Sequence, residues 1–286
     1  MSPIDSWDGL KVKLGLRKQT ARIEIGSGPG AKCAKCGEIQ MKLDFDANLS
    51  VCAACSHHHH VDARRRVEIT LDSGSFEEHD AGLTAADPLD WRGIDTYPGK
   101  LEKARKETGL PEAIVSGVGL LDGRPVAFAV TDSRFMMGSM GAAMGEKLSR
   151  IVEHAVKERM PFISVSGSGG GARMQEGLFS LMQMAKTTLA LARLDAARLP
   201  YISVCTNSTM GGVWASWAAL GDVILAEPEA QIGFTGPRVI KATTKTDLPP
   251  GFQLSEFLLE HGQIDAIVDR RELRGRLSSI LSGLMG

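Results

Sequence analysis

Cys33, Cys36, Cys52 and Cys55 form two Cys-x-x-Cys pairs, with fifteen residues between Cys36 and Cys52. Thiolates are soft donors, and two knuckles at this separation can close a tetrahedron around one zinc ion. A closed set of four thiolates leaves no open position for water, so the predicted zinc is structural. The only other cysteine is Cys205. His57 to His60 follow the second pair at once. With four cysteines in place, this run is expected to be solvated and outside the ligand set.

The second candidate chemistry lies in three glycine turns: Met137-Gly-Ser-Met-Gly141, Gly167-Ser-Gly-Gly-Gly171 and Met210-Gly-Gly212. Each precedes a predicted helix. A glycine there lets another group approach the backbone, and the first turn of a helix leaves N–H groups unpaired. Such groups can hold a phosphate or a developing oxyanion. Gly167 to Ala172 fits the pattern G-x-G-x-x-A. The next strand, however, ends in Thr206-Asn207, where a dinucleotide site needs an acidic residue for the ribose, so a nicotinamide reading is set aside. There is no phosphate-binding lysine loop and no Gly-x-Ser-x-Gly elbow. His154 and His261 stand alone and read as structural or surface residues. Paired N–H donors without an attendant acid, base or nucleophile fit an enolate formed from a thioester. Its proton must then go to a group that the chain does not supply.

These residues need a frame. The chain has 286 residues, 43% of them hydrophobic, and a net charge of -1. That balance argues against a protein that coats a polyanion. No run of 18 apolar residues and no apolar signal core are present, and Cys-x-x-Cys pairs in such a chain point to zinc and a cytoplasmic location. Residues 1–30 read as a flexible arm carrying Lys11, Lys13, Arg17, Lys18 and Arg22. Residues 31–60 read as the metal module, with Leu43, Phe45 and Leu49 suiting a short hairpin between the knuckles. Residues 61–112 are turn-rich, with a basic helix at Lys100–Thr108 stopped by Gly109. From Ala113 onward, short apolar strands alternate with helices, which predicts an α/β core. Ala113–Leu121 and Val126–Val130 flank Asp122-Gly123, a hairpin turn. Strands are expected at Phe162–Val165, Tyr201–Cys205 and Val223–Ala226. Helices are expected at Leu148–Val156, Met174–Leu194 and Val213–Leu220, and over most of 254–285. In the second of these, Leu178, Leu181, Met182, Ala185 and Leu189 share one face and read as core filling.

Longer strings carry a resemblance. They are the four-cysteine spacing, Lys106-Glu-Thr-Gly109, Phe135-Met-Met-Gly-Ser-Met-Gly141, Gly170-Gly-Ala-Arg-Met-Gln-Glu176, Ser180-Leu-Met-Gln-Met-Ala-Lys186, Leu199-Pro-Tyr-Ile-Ser203, Thr209-Met-Gly-Gly-Val213, Ala226-Glu-Pro228, Ile232-Gly-Phe234, Gly236-Pro-Arg-Val-Ile240 and Leu248-Pro-Pro-Gly-Phe-Gln253. With them the chain resembles the beta subunit of the bacterial acetyl-CoA carboxylase carboxyltransferase, from residue 31 to the C-terminus. The resemblance implies a crotonase-like (ClpP/crotonase) spiral of β-β-α units, over 61–286, behind an N-terminal four-cysteine zinc ribbon. It implies transfer of a carboxyl group from carboxybiotin, on a biotin carboxyl carrier protein charged by biotin carboxylase, to acetyl-CoA. Malonyl-CoA for fatty-acid biosynthesis results. The biotin ureido anion takes the α-proton, which accounts for the missing side-chain base.

The resemblance also implies an alpha subunit that supplies the other half of the site, in an alpha2beta2 assembly. Carried over, the N–H groups of Gly170, Gly171 and Ala172 line one side of the acyl site and those of Gly211 and Gly212 the other, with the Gly211–Gly212 turn as the main oxyanion hole. Lys103, Arg105 and Lys106 are candidates for the CoA phosphates, and Arg173 is a candidate to pin its loop. The chain departs from the family pattern at Met137, at Asn207-Ser208, at Trp214 and in a Gly167–Gly171 loop one residue longer, which bear on the acyl group accepted. Two alternatives stand beside this reading. One is a related biotin-dependent carboxyltransferase or decarboxylase acting on another acyl-CoA. The other is a nucleic-acid-binding zinc ribbon, since Lys32, Lys35 and Arg64 to Arg66 flank the module and leave room for a secondary RNA contact.

Overall fold

The computed structural model describes residues 30–285, the side chain of Arg238 aside. Most of the basic arm therefore lies outside the described residues. Contacts divide the chain into two units, Met1–His59 and His60–Gly286.

In the first unit, β1 (Gly30–Lys32) and β2 (Ile39–Met41) pair antiparallel. The hairpin expected around Leu43 and Phe45 is instead a short helix, α1 (Lys42–Ala47). The segment is too short for two alternating strands, and Asp44 suits the first turn of a helix. Only Phe45 of its apolar residues is buried. The histidine run is also not wholly solvated, because an isolated antiparallel bridge from His58 to Val51 carries part of it inward. His58 and His59 are buried, and the His59 ring meets Phe45 edge-on at 5.0 Å.

The second unit opens with α2 (Ala63–Thr70), capped by the Asp62 carboxylate, which accepts from Arg65 N at 2.9 Å. After β3 (Glu77–Glu78) comes α3 (Tyr97–Thr108), which starts three residues before the expected helix and is closed by Gly109 at φ 69°. Strands β4 (Ile114–Leu121) and β5 (Arg124–Thr131) form the predicted hairpin. Asp122 and Gly123 both take positive φ, as a tight hairpin turn requires. The order then runs α4 (Ala142–Glu158), β6 (Phe162–Ser168), α5 (Leu178–Ala196) and β7 (Tyr201–Met210). Next come α6 (Gly211–Val213), continued by a π turn over Trp214–Ala218, and β8 (Val223–Ala226). The chain ends with β9 (Ile232–Gly233), α7 (Pro237–Thr244), α8 (Ser255–Glu260), β10 (Ala266–Ile267) and α9 (Arg270–Met285).

These strands make one eight-stranded sheet in the order β10-β8-β7-β6-β5-β4-β3, with β9 paired to the end of β7. From β5 to β10 the pairing is parallel. Continuous apolar runs such as Phe162-Ile163 and Ile202 with Val204 are buried, as a parallel sheet covered on its faces requires. The consequence for function is topological. β5, β6 and β7 are neighbours, and each is followed by a glycine turn and a helix. Parallel pairing puts all three turns at the same edge of the sheet, outside the carboxyl ends of the strands.

Helix α4 packs on β4 and β5, and α5 packs on α4. The expected core stripe of α5 is corrected by the structure. Leu178, Leu181, Met182, Ala185 and Leu189 are exposed, while Ser180, Gln183 and Thr187 are buried. The small polar side chains face inward because Gly145 on α4 admits Gln183 at a close crossing, where a Cβ would lie 2.6 Å from Gln183 Cβ.

Candidate functional site

The four cysteine sulfurs lie within 4.8 Å of one another. Cys33 and Cys55 are 3.7 Å apart, and Cys36 and Cys52 are 3.8 Å apart. Four sulfurs placed tetrahedrally at about 2.3 Å from a zinc ion are separated by roughly 3.8 Å, so the donor set fits that ion. Two matching turns aim the sulfurs. Gly37 N donates to Cys33 O at 3.0 Å, and Ser56 N donates to Cys52 O at 2.8 Å. Gln40 adds a bridge, its Nε2 donating to Cys52 Sγ at 2.9 Å and its Oε1 accepting from Ala53 N at 3.1 Å. The thiols do not ionise alike. Burial opposes a Cys52 thiolate, but the backbone N–H groups of Cys55 and Ala54 and the neighbouring thiols outweigh it and lower its pKa to about 6. Burial and the sulfurs of Cys36, Cys52 and Cys33 push Cys55 up to about 12. A dication at the centre removes this conflict, since it favours the thiolate at every ligand. The cluster can hold a metal ion.

The glycine turns meet backbone to backbone. A Cβ on Gly211 would lie 2.9 Å from Gly171 Cα, and one on Gly171 would lie 3.4 Å from Gly212 N. Gly171 and Gly211 both take positive φ, at 60° and 61°, so glycine is required at each for conformation as well as space. The two turns therefore form one seam where they approach.

The N–H groups divide into two sets. Gly170 N donates to Met137 O at 3.0 Å, and Gly211 N donates to Phe234 O at 3.0 Å. Those two donors are taken by the protein, which removes them from the expected oxyanion-binding set. Gly171 N, Ala172 N and Gly212 N find no acceptor among the described residues. A Cβ on Gly212 would lie 3.4 Å from Ala172 N, so two of these free donors sit side by side. Met184 of α5 borders them, its Sδ 3.1 Å from the same Cβ position. Trp214, two residues beyond Gly212, is partly buried against the core.

Arg173 does not reach this space. Its side chain is fully buried, and its guanidinium bonds Glu112, Glu176, Tyr97 and Ser139. Burial alone would lower its pKa, but the Glu112 carboxylate outweighs it and keeps the group charged. Burial, helped by the hydrogen bond to Glu176, pushes the Tyr97 phenol up, so it stays protonated. Sequence reasoning missed Tyr97 and Glu112. The only signal was an acidic residue set directly before an apolar strand.

The basic helix is divided as well. Arg105 is half-buried and braces the backbone, with Nη2 donating to Ala85 O at 3.0 Å and Nε to Pro111 O at 3.4 Å. Two of its five donors are thereby engaged by the protein itself. Lys103 and Lys106 are exposed, and Lys103 lies 3.9 Å from Glu107. No helix among the described residues is long and apolar enough to cross a membrane.

Comparison with known proteins agrees with this geometry. The carboxyl transferase domain family matches residues 60–249. The chain is 54% identical over 267 residues to the acetyl-coenzyme A carboxylase carboxyl transferase subunit beta of Opitutus terrae, covering 93% of this chain and 91% of that one. It is 48% identical over 263 residues to the same subunit of Citrifermentans bemidjiense, covering 92% and 93%. Among solved structures, a Pseudomonas malonate decarboxylase hetero-dimer shares the fold, with a TM-score of 0.61 at 24% identity over 78% of this chain and 86% of that one. A transcarboxylase 12S subunit with methylmalonyl-coenzyme A bound aligns with a TM-score of 0.66 at 25% identity, over 98% of this chain and 48% of that one. The crotonase-like α/β fold, the four-cysteine cluster and these relatives converge, and the chain belongs to the family of acetyl-coenzyme A carboxylase carboxyl transferase beta subunits.

Proposed function

We propose that this chain is the beta half of a split, biotin-dependent carboxyltransferase that carboxylates acetyl-CoA to malonyl-CoA for fatty-acid biosynthesis. The observation that carries the reading is the meeting of the free N–H groups of Gly171, Ala172 and Gly212 on turns that contain no ionisable side chain. Donors of this kind act on negative charge that develops at an oxygen. A thioester enolate supplies such charge and needs no protein base if its proton leaves to the co-substrate. Carbon dioxide and that base would both come from carboxybiotin on its carrier protein. The part of this chain is to hold the thioester oxygen while Cα loses its proton, and to keep holding it while Cα bonds the carbon dioxide. Losing one donor of this type costs about 10²–10³ in rate.

Met184 of α5 borders the seam, and the exposed apolar face of that helix runs from beside it. That face and the alignment over only half of the transcarboxylase chain support an alpha subunit as the occupant. It would complete the site, in an alpha2beta2 assembly that is served by biotin carboxylase and its carrier protein. Lys103, Arg105 and Lys106 meet the CoA phosphates. Residues 31–60 act as a ribbon around one structural zinc, following an arm over 1–30, and residues 61–286 act as the carboxyltransferase domain, in the cytoplasm. The test is malonyl-CoA formation from acetyl-CoA and carboxybiotin, with this chain alone and with a purified alpha subunit. Activity is expected only in the mixture. Activity from the chain alone, or a bound pair that leaves acetyl-CoA untouched, would overturn the reading. A preference for a longer acyl-CoA would move it to the related carboxylases.

A further inference from the structure

Arg173 has no exposed surface, and its donors are all engaged. Nε donates to Ser139 Oγ at 3.3 Å. Nη2 donates to Ser139 O at 2.8 Å and to Glu112 Oε1. Nη1 faces Glu112 Oε2 at 2.9 Å, Tyr97 OH at 3.1 Å and Glu176 Oε1 at 3.3 Å. An arginine with five donors satisfied inside the protein has none left for a phosphate or a carboxylate of a substrate. Its position is nonetheless next to Ala172, whose N–H is one of the free donors.

We infer that Arg173 is a positioning residue: its guanidinium clamps the Met137–Gly141 turn to the Gly167–Ala172 turn and so aims Ala172 N–H at the acyl site. This rests on the reading of that site given above. Three backbone bonds join the two turns, Gly170 N to Met137 O, Met140 N to Gly171 O and Arg173 N to Met140 O. The last two make a parallel bridge between Met140 and Ala172. In such a bridge the N–H groups alternate in direction. Gly171 O and Arg173 N are used on the Met140 side, so Ala172 N–H points the other way, toward Gly212. One isolated bridge holds its register weakly. The two guanidinium bonds to Ser139 cross the same gap and lock it.

The clamp is anchored outside the turns. Glu112 stands at the foot of β4, and Tyr97 opens α3. Glu176 turns its second oxygen to Ala142 N, at the first turn of α4, at 2.5 Å. Two carboxylates surround one guanidinium, and the surplus negative charge faces the start of a helix, where it is favoured. Lysine cannot reproduce this, because a single ammonium lacks the planar fork that reaches Glu112 and Ser139 together.

The test uses Arg173→Lys, Glu112→Gln, the double variant and Tyr97→Phe, each assembled with the alpha subunit. A misplacement near 1 Å at a catalytic group costs about 100-fold, so kcat of Arg173→Lys is expected to fall by about 30- to 100-fold. KM for acetyl-CoA should stay within about threefold, because the donors act on the transition state more than on the ground state. The double variant should be no worse than Arg173→Lys alone, since both changes break one device. On this chain by itself, hydrogen exchange at the Met140 and Arg173 amides should speed up while the amides of Phe162–Val165 in β6 and of α4 beyond its first turn are unchanged. A rise in KM with kcat preserved would place Arg173 on the substrate and overturn the inference. So would an activity loss that only tracks the unfolded fraction, or additive losses in the double variant. If Arg173→Lys does not fold, Tyr97→Phe decides, with unchanged kcat and unchanged exchange counting against the clamp. If the wild-type pair fails to carboxylate acetyl-CoA, the functional reading falls, and the exchange measurement still judges the clamp.

Discussion

Helices α4 and α5 lie against each other and treat their apolar residues in opposite ways. α4 turns Met144, Leu148, Ile151, Val152 and Ala155 inward, and of its charged residues only Lys147 is buried with them. α5 holds Ser180, Gln183 and Thr187 inside, while Leu178, Phe179, Leu181, Met182 and Leu189 are between 51% and 69% exposed. The buried side-chain donors of α5 bond carbonyls of their own segment, whereas Gln183 Oε1 has no partner. Ser180 Oγ donates to Gly177 O at 2.8 Å, Gln183 Nε2 to Phe179 O at 2.9 Å and Thr187 Oγ1 to Gln183 O at 2.8 Å. Only the last turns, with Ala190, Leu191 and Leu194, bury apolar residues in the usual way. Two neighbouring helices of similar length thus serve different ends. α4 stabilises this chain, and α5 presents an exposed apolar surface. Apolar patches of this kind on a monomer mark interaction sites.

This contrast can be broken by experiment. Leu148→Ala in α4 should destabilise the isolated chain by about 2–5 kcal/mol in urea unfolding, the cost of a core cavity. Gly145→Val should cost about 1–3 kcal/mol in the same measurement, because the added side chain forces Gln183 and the helix crossing apart. Leu181→Ser in α5 should leave the isolated chain within about 0.5 kcal/mol of wild type. It should nonetheless weaken binding of the alpha subunit by about 1 kcal/mol or more, read by calorimetry. A core-sized loss of stability from Leu181→Ser would abolish the distinction between the helices.

The smallest effect concerns pH. His154 of α4 packs edge-on to His79 at 4.7 Å, and burial together with His79 lowers its pKa. A histidine with a depressed pKa in the folded state binds fewer protons there than when unfolded. Its contribution is neutral above the unfolded value of about 6.5 and becomes destabilising as pH falls through and below it. His154→Gln should therefore flatten the fall in melting temperature between about pH 7 and pH 5. α5 has no histidine, and changes on it should leave that slope alone.

Legibility followed the range of the interaction. The two thiolate knuckles were readable because each is a local turn, and only a short strand and one short helix separate them. The Asp122-Gly123 turn was readable for the same reason, since positive φ at both positions is a property of those residues. The stripe on α5 was readable as a stripe, but not as to what it faces. Periodicity reports that apolar residues share a side, whereas the close approach at Gly145 decides which side goes in. The donors at Gly211 and Gly212 look equivalent in the sequence, and only the carbonyl of Phe234, brought in by β9, separates them.

What the chain determined by itself is therefore the local chemistry: four thiolates at zinc spacing, glycines where a backbone must be approached, and the order of strands and helices. Those depend on neighbouring residues and on backbone preference. The tertiary structure alone decided which N–H groups remain free, that Arg173 is a buried clamp, that Arg105 is a brace and that α5 faces outward. Each of those outcomes depends on an acceptor or a surface contributed by a distant segment, and such contacts exist only after the parallel strands have brought the segments together.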